Sequence, residues 1–152
     1  MNKKNLIKAV ELFMQIPQDR FDMLSYRRPY KNIIVNNKNK FCETVGCGAG
    51  HLTAIIPDTQ IVLKRRSIDY LKTSLIYLDL CLDEWRFLFE AEWTKIDNTP
   101  RGLCQRIIYL LKNENEIYSQ ITVEELENIY NRTEYYNIDV EAELIEIKKQ
   151  LS

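Results

Sequence analysis

The sequence predicts a mainly α-helical protein, a single compact domain over residues 1–152 with about six helices and a minor two-stranded β element. Three observations carry this. Apolar residues recur at three- and four-residue spacings along most of the chain. Helix-start residues stand ahead of several of those runs. Two short strand-like stretches, 33–35 and 61–63, are the candidates for the β element. A chain of 152 residues can bury a core without staples, and 45% apolar with 28% charged residues is the balance of a soluble globular domain.

In residues 2–16, Leu6, Val10 and Phe13, with Ile7 and Met14 beside them, keep the spacing of one buried helical stripe, which Pro17 ends. Residues 18–41 lack that period; Phe21 to Leu24 form an apolar anchor, and a small hairpin is expected around 33–35. The segment 43–56 reads as a helix with Thr44 as N-cap. Its three glycines each cost about 1 kcal/mol against alanine, so a neighbouring backbone or a ligand is expected to come close. For Gly50 that neighbour is expected to be the cluster of Trp85, Phe89 and Trp93.

Farther on, Ser67 is expected to cap a helix whose Ile68, Leu71, Leu75 and Leu78 face inward. A break at 79–82 precedes a short aromatic helix with Asp83 as N-cap. Thr99 followed by Pro100 is a strong start signal for a helix reaching about Lys112. Thr122 to Glu125 has the capping-box pattern. Asp139 opens the last helix, with Val140, Leu144, Ile147 and Leu151 on one stripe and Lys148 and Lys149 in the last turn, where they suit the helix dipole.

The net charge of −1 conceals an uneven distribution. Residues 1–66 hold 12 lysines and arginines against 5 acids, and residues 67–152 hold 9 against 17. Two readings follow: complementary faces that meet within the fold, or a basic surface for an anionic partner. No apolar run reaches the ~20 residues of a membrane span. The first residues lack the apolar core of a signal peptide, so a cytoplasmic protein with reduced thiols is expected.

Chemistry-bearing residues concentrate between Cys42 and His51, which hold two of the four cysteines, three of the four glycines and the sole histidine. Cys42, Cys47 and His51, with Cys81 or Cys104, could be arranged as zinc ligands, yet zinc sites usually show two tight ligand pairs and this chain has one loose pair. Cys47 with His51 could form a nucleophile and base, but no third, orienting group is evident. Packing is the simpler use of these small residues, so no metal, no cofactor and no catalytic residue are assigned. Basic and aromatic residues interleave at Arg27, Arg28, Tyr30 and Lys31, with Arg65 and Arg66 beyond; such a set can stack a base and neutralise a phosphate. A sequence pI near 5.9 argues against a duplex-DNA binder.

Two stretches taken together resemble an uncharacterised family of small bacteriophage and prophage proteins. The first is Phe21-Asp22-Met23 followed by Cys42-x-Thr44-x-x-Cys47-x-x-Gly50-His51. The second runs from Glu84 and Trp85 to Phe89, through Trp93 and Asp97-Asn98-Thr99-Pro100, to Arg106-Ile107 and Leu110-Leu111. The resemblance spans about residues 21–112; Glu43 departs from it, standing where the family commonly has glycine. It implies a phage source and a setting in the host cytoplasm or the virion, and no reaction. The reading for function is a phage-encoded soluble protein, non-enzymatic, that binds a host or phage protein or other macromolecule, with countering host defence as the natural role. The alternatives are a binder of a small anionic ligand such as a nucleotide, through the basic N-terminal half, and a minor virion component. The sequence leaves the oligomeric state open.

Overall fold

The central element is a helix with almost no outside. In the computed structural model, which describes residues 1–21, 47–65, 67–89, 98–114, 124–125, 128 and 137–152, residues Pro100–Lys112 form α5. Every residue of it from Gly102 to Leu111 is buried. Thr99 caps it by accepting the Gly102 N–H at 3.0 Å, and Pro100 stands in the first turn, where its missing N–H costs nothing. A helix apolar over most of its circumference needs cover on several sides. Three helices supply it: α1 (Lys3–Phe13), α4 (Leu82–Phe89) and α6 (Val140–Gln150) all pack against α5.

Between α1 and α4 lie α2 (Gly48–Leu52), the hairpin of β1 (Leu63–Lys64) and β2 (Ser67–Ile68), and α3 (Tyr70–Leu78). Two 3₁₀ turns, Gln18–Arg20 and Asp58–Gln60, follow Pro17 and Pro57. The strands pair antiparallel, Leu63 with Ile68 and Lys64 with Ser67. Among the described residues the protein is thus mainly helical with a small two-stranded sheet, the class expected. The β element differs in its partner: residues 61–63 were expected opposite 33–35, but Leu63 pairs with the strand that follows it. The stretch 33–35 lies outside the described residues.

Two buried polar side chains tie the layers together. Arg106, 1% exposed, sends Nε and a terminal nitrogen to the Leu88 carbonyl at 3.3 and 3.2 Å. That carbonyl is one of the last four of α4, which no intrahelical N–H can reach. Gln105 does the same for the Ile138 carbonyl at 3.3 Å, just before α6. On α3, Ser74 accepts the Trp85 indole N–H at 2.7 Å, and its own hydroxyl turns back to the Tyr70 or Leu71 carbonyl.

Several helix boundaries move from their expected places. Ser67 sits in β2, and Asp69 caps α3 instead, accepting the Lys72 N–H at 3.1 Å. Cys81, not Asp83, precedes α4: its carbonyl accepts the Trp85 N–H at 3.0 Å, while Glu84 reaches back to the Cys81 N–H at 2.7 Å. That is a capping box with cysteine in the serine position. Asp139 caps α6 as expected, and Val140, Leu144 and Ile147 are its buried stripe, whereas Leu151 is exposed. Of the expected capping box at 122–125, Glu124 and Glu125 are helical and the rest lies outside the described residues.

Ion pairs cross between the two halves in both senses, Lys3 with Glu114 and Lys148 with Glu11, while Lys112 pairs with Glu143 at 2.7 Å within the second half. All are exposed or nearly so, and each contributes little, about 0–1 kcal/mol.

The buried guanidinium makes a testable claim. Arg106→Met keeps most of the volume and leaves the Leu88 carbonyl without that donor, which should cost about 1–3 kcal/mol in urea unfolding. Arg101→Met, on the exposed side of the same helix, should change stability by no more than about 0.5 kcal/mol.

Candidate functional site

The histidine of the Cys/Gly/His segment is held by groups that position it. Its ring lies parallel to Phe21, with centroids 6.0 Å apart and planes at 8°, and Phe21 meets Phe13 edge-on at 6.4 Å. His51 Nε2 donates to the Arg20 carbonyl at 2.9 Å, since a carbonyl can only accept. The ring thereby ties α2 to the chain leaving α1.

Helix α2 begins at Gly48, not at Thr44, with Cys47 as the N-cap residue; Thr44 and Cys42 lie outside the described residues. Cys47 is 4% exposed, and its carbonyl accepts the His51 N–H at 3.0 Å. At the other end Thr53 donates its hydroxyl to the Gly50 carbonyl at 2.8 Å. The close approach expected of a glycine here occurs at Gly48. A Cβ built there would stand 2.5 Å from Leu103 Cδ2 and 3.2 Å from two Phe89 ring carbons. Phe89 and Leu103 of α5 are thus neighbours of Gly48. Gly50 is buried on the same helix; Trp93 lies outside the described residues, while Trp85 packs against Phe89 with centroids 5.6 Å apart.

Cys47, Cys81 and Cys104 are all thiols. Burial pushes the Cys104 thiol up to about 12, with Glu141 adding to the rise and Arg106 opposing it. Its Sγ lies 3.7 Å from the Val10 carbonyl. Burial also raises the Cys81 thiol, against hydrogen bonds from backbone N–H groups at the start of α4. Burial thus makes both thiols weaker nucleophiles near neutral pH than an exposed cysteine. Among the described residues no three histidine, cysteine or acidic side chains gather as a metal site would require.

Of the basic set, Arg65 alone is described; Arg27, Arg28, Tyr30, Lys31 and Arg66 lie outside the described residues. Arg65 is exposed and held at φ 50° in the two-residue loop between β1 and β2. Such loops favour asparagine or glycine, because a left-handed backbone crowds a Cβ. Sequence inspection missed this strain because it sought the second strand elsewhere. Lys64 beside it is also exposed.

A cleft of about 250 Å³ opens where the end of α1 meets the starts of α5 and α6. Phe13, Ile16, Cys104 and Val140 form its floor, with Gln18, Arg101 and Glu141 among the residues around it. The charges near it are of both signs, so it selects neither anion nor cation. No helix of the described residues is long and apolar enough to cross a membrane. Comparison with protein-family models, with curated proteins and with solved structures gives no match.

Two outcomes test this account of the segment. Gly48→Ala gains up to about 1 kcal/mol of helix propensity but forces the buried Leu103 and Phe89 to shift, and should lower stability by about 1–3 kcal/mol net. For Cys104 the folded pKa lies above the ordinary thiol value of 9.0. The unfolded chain therefore releases the proton first, and stability present below pH 9 is lost as pH rises toward 12. Urea titrations over that window should show this fall, and Cys104→Ala should flatten it.

Proposed function

We propose that this protein acts by binding a macromolecule and performs no reaction with its Cys/Gly/His segment. The observation that carries the reading is His51: its Nε2 is engaged by the Arg20 carbonyl and its ring is stacked on Phe21. A general base needs a nitrogen within reach of a reacting proton; Nε2 here is committed to the Arg20 carbonyl, and the ring joins two segments of the fold. The resemblance of residues 21–112 to small bacteriophage and prophage proteins supplies the setting: a phage-encoded soluble protein in the host cytoplasm whose partner is a host or phage protein, with counter-defence as the natural role.

A second reading is favoured by one observation. An arginine occupies the left-handed position of a two-residue turn, at a local cost of about 1–2 kcal/mol that asparagine or glycine would reduce. A strained, exposed arginine beside an exposed lysine suits an anion, such as a nucleotide phosphate, carried by the basic half of the chain.

Affinity capture from phage-infected and uninfected cells, with calorimetry against a nucleotide and a single-stranded oligonucleotide, separates these readings. The first expects a stoichiometric protein partner that His51→Gln and Cys47→Ala still retain once matched for melting temperature. The second expects saturable nucleotide binding that Arg65→Asn weakens about tenfold while leaving stability equal or higher. A His51→Gln protein that melts like the wild type yet loses all biological activity would overturn the non-catalytic reading. Mass spectrometry of purified virions identifies the case of a minor virion component.

A further inference from the structure

Helix α3 is turned against its own hydrophobicity. Its buried side includes Thr73 and Ser74 with Tyr77 and Leu78, while Leu71 and Ile76 are 37% and 52% exposed. The inward polar residues have partners that explain them. Ser74 accepts the Trp85 indole N–H at 2.7 Å, and Thr73 accepts the Val62 N–H at 3.0 Å. Nothing within the described chain explains the outward apolar ones.

At about 100° per residue, Leu71, Leu75, Lys72, Ile76 and the helix-end residue Asp79 share one outer face of about 140°. Leu75 is half-buried in it, and Lys72 is exposed. Asp79, in the left-handed position that ends the helix, has a side chain 78% exposed and takes the Met1 amine at 3.2 Å with one of its carboxylate oxygens. Leu63, 66% exposed, lies on the hairpin joined to the start of α3 through Val62, and Leu82, 45% exposed, follows its end. Among the described residues, four of the seven exposed large apolar side chains therefore lie on α3 or on the segments that flank it.

The order of charges along this face decides what can cover it. Lys72 stands near the N-terminal end and Asp79 at the C-terminal end, equally far from the midpoint between Leu75 and Ile76. A two-fold axis through that midpoint sets a second α3 antiparallel to the first. Leu75 then faces the partner's Ile76, and Lys72 faces the partner's Asp79, twice over. The antiparallel arrangement also brings opposite helix dipoles together. A surface that is its own complement is what a closed two-fold dimer requires.

We propose that the outer face of α3 is the interface of a homodimer, its occupant a second copy of this chain. A face built on one nine-residue helix and its flanks belongs with small interfaces, so the association is micromolar and salt-sensitive.

Sedimentation equilibrium on the full chain, from low micromolar to submillimolar concentration, tests this. Wild type should show a monomer–dimer equilibrium that weakens with added salt. Ile76→Asp should weaken it about tenfold or more, since both copies carry the change. Lys72→Glu, which sets like charges opposite each other, should weaken it several-fold with no change in melting temperature. Ile145→Asp, at an equally exposed apolar site on α6, should leave it unaltered. A wild type that stays monomeric throughout would overturn the proposal. So would a dimer indifferent to both α3 changes, or one that Ile145→Asp disrupts.

Discussion

The contact on which most of the arrangement rests is the buried guanidinium of Arg106 on the Leu88 carbonyl. A charge taken out of water is costly unless it is hydrogen-bonded, and a helix C-terminus packed inside a core leaves carbonyls with the opposite need. Joined, each removes the other's penalty, and the guanidinium sits near the negative end of the α4 dipole. This fixes the end of α4 against the middle of α5, and with it Trp85, Phe87 and Phe89. Trp85 carries the constraint outward, because its indole N–H requires an acceptor and finds it in Ser74 of α3.

The orientation of α3 follows from that acceptor. Once Ser74 must face Trp85, and Thr73 must face Val62, the helix is rotated, and Leu71 and Ile76 come to the surface. Its other end is held as firmly. Asn5 donates to the Tyr77 carbonyl at 2.7 Å, and the Asn2 N–H donates to the Leu78 carbonyl at 2.7 Å, so the last carbonyls of α3 are satisfied by the start of α1. Polar groups at helix ends thus fix how the helices are turned, and apolar packing fills the space they define.

The Cys/Gly/His segment follows the same logic. Gly48 is there so that α2 can lie against Leu103 and Phe89, and His51 so that a polar ring can hold the Arg20 carbonyl while stacking on Phe21. Such a cluster is unusual in composition, and these contacts are ordinary packing ones. Arg65 differs, since the turn would be more relaxed without it and its side chain is exposed to solvent.

The sequence by itself determined the helical class, the stripes of α1 and α6 save for Met14 and Leu151, which are exposed, and the starts of α5 and α6, because these depend on local physics: a threonine or aspartate beside a run of helical period caps that run whatever surrounds it. Tertiary structure alone decided the rest. The turn of α3 could not be read from Leu71, Leu75 and Leu78, because a buried indole eleven residues away set it. The use of Arg106 could not be read either, because its acceptor, the Leu88 carbonyl, is brought opposite only by the packing of α4 on α5. Nothing in the sequence shows what Gly48 admits, and only the approach of Leu103 of α5 and of Phe89 shows why it must stay bare. The pairing of β1 with β2 was hidden because the sequence between them carries none of the glycine or asparagine that signals a hairpin, so the strain at Arg65 shows only in the backbone.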